Sequence, residues 1–376
     1  MHHWSIPHQS SISAEFFDIA RNVYAHDPNW IPESKASICW QFSQENPYYR
    51  AIETKIWGIE DRCRIAGFYN PDLRISGEKV AFFGYWETMN DTDCNQILFR
   101  QVEEWAKKCG AQRCYGPICF TTYGSYRIQL ANNPRKTPFW GEPYNPDYYE
   151  KILESCGYTL FQDYVSIIGN ERHLPIYRQV STILEKQLQE HQLRPVALTP
   201  DLWMERQQEI HSIFQSLWED NFGFVPIDFP TFARFFSRNT AEMLDPDCSI
   251  ALIDKDDAIA GYLAVYPDYA PLLIQGSTNP IAPHSLNYNN AFPMLKKPEL
   301  LLKTGCIHPQ YRQHKLFTAM SVLACSRSIE KGYSIPIGCL IRSDNHPRKM
   351  ADVAQRVDPQ ATAITQFYGL FSKKLC

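Results

Sequence analysis

Apolar residues recur at spacings of three and four through 13–28, "SAEFFDIARNVYAHDP", which predicts a helix with Ser13 as N-cap and Pro28 as a stop. Period-two patterning takes over in 55–70, two short strands around a turn at Glu60–Asp61, and again in 78–91. Helical spacing returns in 92–110: Asp91 or Thr92 caps it, lysines fall in its last turn, and Gly110 ends it. A strand over 112–120 is interrupted at Gly116–Pro117. The stretch 144–158 predicts a short helix with Asn145 as N-cap, Pro146 at its first position and Gly157 at its end. A strand over 159–168 closes this first unit.

Residues 171–194 predict a polar helix bridging two halves, after which the order repeats. A strand (195–199) leads to helices over 200–222 and 229–244. A hairpin over 249–267 turns at Lys255–Asp256–Asp257. A strand over 298–307 precedes a helix from 315 to 331, ended by Gly332, then a strand (334–341) and a helix (346–357). The C-terminal "ATAITQFYGLFSKKL" fits helix or strand. Residues 271–298, rich in Pro and Asn, form a long connection that is either an active-site cover or a surface insertion. The repeated order predicts an α+β protein of two units with mixed sheets flanked by helices.

The length of 376 residues suits two domains. A net charge of −4 argues against chain-wide attraction to nucleic acid or an anionic membrane, so neither is expected as a partner. The start shows no basic segment followed by an apolar one, and no apolar run approaches the roughly 18 residues of a membrane helix. A cytoplasmic protein is the expectation. Twelve cysteines include no CxxC pair, and Cys109, Cys114 and Cys119 match no zinc spacing, so reduced thiols and no metal are expected.

One local departure from the acidic balance is "HPQYRQHKLFTAM" (308–320), where His308, Arg312, His314 and Lys315 crowd the start of a helical pattern. A helix N-terminus favours anions, so the stretch reads as an anion site or as a solvated basic turn. The corresponding stretch of the first unit, "TMNDTDCNQ", is acidic and would repel an anion.

The element order of the second half, with "TGCIHPQYRQHKLFTAM" after its fourth strand, resembles the GNAT acyl-CoA N-acyltransferase superfamily. In the first half, "VYAHDPNWIPE", "FFGYWETMND", "YGPICF" and "PYNPDYYEKILESCGY" resemble a tandem group within it. The resemblance runs from about residue 16 to 374. It implies two GNAT-like domains in tandem: 1–170, without its own acyl-CoA site; a linking helix, 171–194; and 195–376, carrying the donor site. It further implies acyl-CoA, or an acyl-phosphopantetheine, as cosubstrate, with no permanently bound cofactor. The pyrophosphate would lie on the loop formed by Ile307, Arg312, Gln313, His314, Lys315, Leu316 and Phe317. Lys315 and Phe317 stand where family loops usually carry glycine. Their side chains either block the approach or, with Arg312, add charge-assisted contacts.

The reaction implied is transfer of an acyl group to the amine of a small molecule or peptide. Its oxyanion contact would be a backbone N–H at the bulged fourth strand near Cys306 or Ile307. Tyr368 would be the acid, or else a core residue. Asn345 would hold the pantetheine arm or cap the helix at 346. The fourth strand, "LLLKTGCI", lacks the carboxylate many relatives carry, leaving Glu219, Asp220 and Glu87 as substitutes for the base. Cys306 as a nucleophile beside His308 is a further reading. Aromatic residues of 119–130 and 139–149 line an acceptor channel or fill a domain seam. Two alternatives keep the fold: a donor carried by an acyl or peptidyl carrier protein, and a non-catalytic binding protein.

Overall fold

A computed structural model describes residues 2–218, 221–314, 316–343 and 350–375. The first half comprises β1 (His3–Ile6), α1 (Ala14–Val23), α2 (Lys35–Gln41), α3 (Pro47–Ala51), β2 (Glu53–Ile59), β3 (Cys63–Ile75), β4 (Glu78–Thr88), α4 (Thr92–Lys108), β5 (Arg113–Gly116), β6 (Ile128–Gln129), α5 (Tyr149–Ser155) and β7 (Thr159–Ile168). After α6 (His173–Glu190) the second half comprises β8 (Arg194–Ala197), α7 (Pro200–Glu205), α8 (Gln207–Trp218), α9 (Phe229–Phe235), α10 (Arg238–Ala241), β9 (Ile250–Ile253), β10 (Ile259–Pro267), α11 (Ala270–Leu273), α12 (Tyr288–Ala291), β11 (Leu300–Ile307), α13 (Leu316–Ser328), β12 (Pro336–Arg342), α14 (Met350–Val357) and β13 (Ile364–Lys374).

The thirteen strands of the described residues join one sheet, in the order β1-β2-β3-β4-β5-β13-β7-β12-β11-β10-β9-β8, with β6 also on β13. The two halves interleave at its centre. β13, the last strand of the chain, lies antiparallel to β5 and β7, while β7 lies between β13 and β12. On the first half's sheet, α4 and α5 pack against one face and α1–α3 against the other. In the second half, α6 and α13 cover one face and α7–α10 the other.

Several sequence expectations shift for identifiable reasons. The helix expected over 144–158 starts at Tyr149, because Asn145 is spent elsewhere: its side chain accepts from Gln129 N at 2.7 Å and donates to Gln129 O at 3.0 Å. The helix expected over 200–222 breaks at Arg206, whose guanidinium reaches Glu209 at 2.8 Å and the carbonyl of Asp257 at 2.6 Å. The ambiguous C-terminal stretch is strand β13. Among the described residues no helix is long and apolar enough to cross a membrane.

Candidate functional site

Each half contains a pair of parallel strands that run together briefly and then part. In the first half, Val80, Ala81 and Phe82 of β4 pair with Arg113, Cys114 and Tyr115 of β5. In the second, Leu300, Leu301 and Leu302 of β11 pair with Pro336, Ile337 and Gly338 of β12. Beyond these pairs each fourth strand has a neighbouring strand on one side only. Backbone amides left facing such a cleft suit an extended, amide-bearing ligand that adds as a guest strand.

The two clefts differ in what fills them. The first is plugged by its own chain: Ile118 N donates to Phe83 O at 2.6 Å, and Tyr85 N donates to Cys119 Sγ at 3.4 Å. Gly84 lies so close under the Ile118 carbonyl that a Cβ there would collide with it. In the second cleft, among the described residues, no backbone hydrogen bond joins 303–307 of β11 to β12.

The helices that follow differ as well. Asp91 caps α4, its side chain accepting from Cys94 N at 3.0 Å. That hydrogen bond, with help from Arg62, holds the Asp91 carboxyl below its ordinary range, so the positive end of α4 already faces its own carboxylate. Before α13, Pro309–His314 forms a 3-10 turn. The turn is fixed by His308 N on Ala260 O at 2.8 Å and by Tyr311 OH on Asp254 at 2.8 Å. Arg312 is exposed on it, while Ile307 and Phe317 pack against the second half's core, which Leu316 enters fully. The Phe317 ring lies against Gly305 of β11, where a Cβ would strike it, so this side chain is directed back onto the strand. Gln313 and His314 belong to the turn; Lys315, Asn345, Glu219 and Asp220 lie outside the described residues.

The remaining sequence candidates fall in separate places. Glu87 is half-buried on β4, opposite Arg64 of β3, and accepts from Tyr149 OH at 2.6 Å. Burial pushes its carboxyl up to about 7, against the pull of Arg64. These partners all belong to the first half. Tyr368 is fully buried in the cluster that holds Ile118, Phe120 and Tyr164, and its hydroxyl has no hydrogen-bond partner among the described residues. Cys306 is buried opposite Tyr262 on β10. His308 lies past the end of β11, its Nδ1 accepting from Gln310 N at 3.4 Å. The irregularity of β11 is not at Cys306 or Ile307: register passes from Ala264–Thr304 to Val265–Leu302, which makes Lys303 the bulged residue.

Around Lys303 the fold gathers a set that sequence reasoning missed. A loop of the first half reaches across, and Lys303 Nζ donates to Trp140 O at 2.9 Å and lies 4.8 Å from the Trp140 ring. Gly141, at φ +75°, admits the ammonium where a Cβ would collide with it. Glu142 accepts from Phe139 N at 3.0 Å, and its Oε1 is buried with no partner among the described residues. Burial pushes the Glu142 carboxyl up to about 8 and that of Asp268 to about 6, and it lowers the Lys303 ammonium. Asp268 accepts from Trp140 N at 2.7 Å; Arg135 reaches Glu299 at 2.6 Å and Asp268 at 3.5 Å. The available signal was a lysine inside an otherwise apolar strand, "LLLKTGCI". Among the described residues no group of His, Cys, Asp and Glu is placed to hold a metal ion.

No family model matches the chain. A protein of Escherichia coli K12 named YghO is 22% identical over 258 residues, a match covering 67% of this chain and 65% of that protein. Among solved structures, the GCN5-related glucosamine N-acetyltransferase region of a fungal multi-domain GH3 beta-N-acetylglucosaminidase superposes with a TM-score of 0.54 at 10% identity, over 99% of this chain and 38% of that one. A GCN5-related N-acetyltransferase from Sphaerobacter thermophilus gives 0.49 at 11% identity over 99% and 96% of the two chains. The alignment with the fungal region covers 99% of this chain, and the chain has the fold of the GCN5-related N-acetyltransferases, its two halves set in tandem along one sheet.

Proposed function

We propose that the protein is an N-acyltransferase whose second half binds the thioester donor and whose first half binds none. The observation that carries this reading is the asymmetry of the two clefts: one is plugged and followed by an acid-capped helix, while the other, among the described residues, has no backbone hydrogen bond across it and is followed by a basic turn. The pantetheine arm would add along β11 as a guest strand, and its phosphate would meet the N-terminus of α13, from Arg312 through Phe317. Because the Phe317 ring turns back onto Gly305, its bulk is kept off the helix end despite the absence of glycine there.

The acceptor is the amine of a small molecule or peptide. Its nitrogen attacks the thioester carbonyl, the C–S bond breaks, the nitrogen gives up a proton, and the thiolate takes one. Glu142, beside the bulge, is the group best suited to receive the first proton in its ionised form, whose share grows as pH rises toward about 8, with Lys303 fixing the loop that carries it. Tyr368, Cys306, Glu219 and Glu87 remain candidates for the acid or base, each to be tested by substitution, as does Asn345 for holding the donor. A donor borne by a carrier protein presents the same phosphopantetheine without the nucleotide.

Thermal unfolding in the presence of CoA, acetyl-CoA and phosphopantetheine tests the donor site. A ligand at 100 times its dissociation constant should stabilise by about 2.7 kcal/mol, and Arg312→Ala should remove most of that shift. Equal stabilisation by phosphopantetheine and CoA points to a carrier-borne donor. No shift with any of the three sinks the proposal.

A further inference from the structure

A cavity of about 280 Å³ lies where residues 225–231 of the second half cross the first half's sheet, on the face that carries α3. Its floor is apolar, formed by Phe68 of β3, Val80 and Phe82 of β4, and Ile52 after α3. Its rim is closed by Val225, Pro226 and Ile227. None of its walls belongs to the cleft between β11 and β12 or to the turn before α13. By volume it holds about nine waters, at about 30 Å³ each, too many to leave in contact with so apolar a floor without cost.

The chemistry of the rim selects the occupant. Among the residues lining the cavity, Asp228 is the one that carries a charge. Hydrogen bonds from Thr231 hold its carboxyl below the ordinary range, with His211 adding to the effect, so it is ionised at neutral pH. Its Oδ1 accepts from Thr231 N at 2.9 Å as the cap of α9. Tyr48 forms part of the wall and stacks on Phe235 and Tyr123, with centroids 5.6 and 6.1 Å apart. Its hydroxyl is buried with no partner among the described residues. An exposed carboxylate beside an apolar cavity, with an unpartnered tyrosine hydroxyl in the wall, favours a cation with an apolar body and disfavours a fatty acid.

We propose that this cavity binds a primary amine with an apolar body, about nine heavy atoms in all, its ammonium beside Asp228 and Tyr48 and its body over Phe68, Val80 and Phe82. The site stands independently of the donor cleft, and binding there needs no acyl donor.

Titration calorimetry of the full chain, without CoA, against octylamine, 1-octanol and octanoate tests the proposal. Octylamine should bind saturably, and octanoate at least about tenfold more weakly. Ala51→Phe, which adds a ring at an exposed lining position, should abolish octylamine binding; Leu73→Trp fills the cavity from its other wall should that variant fail to fold. Asp228→Asn keeps an N-cap side chain and should remove the preference of octylamine over octanol. No saturable octylamine binding, octanoate binding as well as octylamine, or octylamine binding unchanged in both filled variants would overturn the assignment.

Discussion

Glu142 closes the loop that carries it, accepting from Phe139 N at 3.0 Å, while its other oxygen is buried without a partner among the described residues. Burial raises its carboxyl to about 8, so the folded chain holds a proton that the unfolded chain, with an ordinary carboxylate, gives up. The stabilisation from that proton is fully present below the unfolded pKa and is lost as pH rises through about 8. Asp268, raised to about 6, and Glu87, raised to about 7, act in the same direction. Glu142→Gln keeps an oxygen for Phe139 N and removes the titration. Its urea midpoint should therefore fall less than that of the parent between about pH 5 and pH 8. Parallel pH profiles for the two proteins would show that Glu142 is ionised in the fold. None of this convergence was legible in the sequence, because Glu142 and Lys303 are brought together only when the first half's loop docks on β11.

The two helices that follow the fourth strands, α4 and α13, show how far local signals reach. The cap, basic last turn and closing glycine of α4 are legible in the sequence, since each of these acts within one turn of the helix. Asp91→Ala should cost about 1 kcal/mol in chemical denaturation, whereas Asp91→Asn should cost only a few tenths. Because the Asp91 carboxyl is held low, its contribution is lost as pH falls through that depressed value, the opposite sense to Glu142. An equal cost for both variants would mean that charge, not the cap hydrogen bond, supports the helix. Local reading failed where a side chain serves a distant partner. Asn145 bonds Gln129 instead of capping α5, and Arg206 breaks a helix by reaching the turn at Asp257.

In the whole molecule, neither half completes its sheet alone. β5 has β13 as its antiparallel neighbour, and β7 has β12 and β13. A fragment ending at residue 170 would leave β5 and β7 without those partners, exposing edges that native chains cover. Expressed separately, 1–170 and 171–376 should each lack cooperative unfolding; co-expressed, they should recover it and co-elute as one species in size-exclusion chromatography. Independent cooperative folding of 1–170 would show that the interleaved strands are dispensable. The sequence by itself did not mark β1, α2, α3, β6, α11 or α12, but it determined most of the longer elements, the repeated order of the two halves and the opposed charge of their two loops. These depend on periodicity, caps and charge, which act over a few neighbouring residues. Only the tertiary structure decided that β13 is a strand, that it lies beside the first half's β5, that one cleft is plugged, and that Lys303 is the bulged residue. Those outcomes depend on which strand edges and buried charges meet across the fold, and "TQFYGLF" carries no local mark of the partner it will pair with.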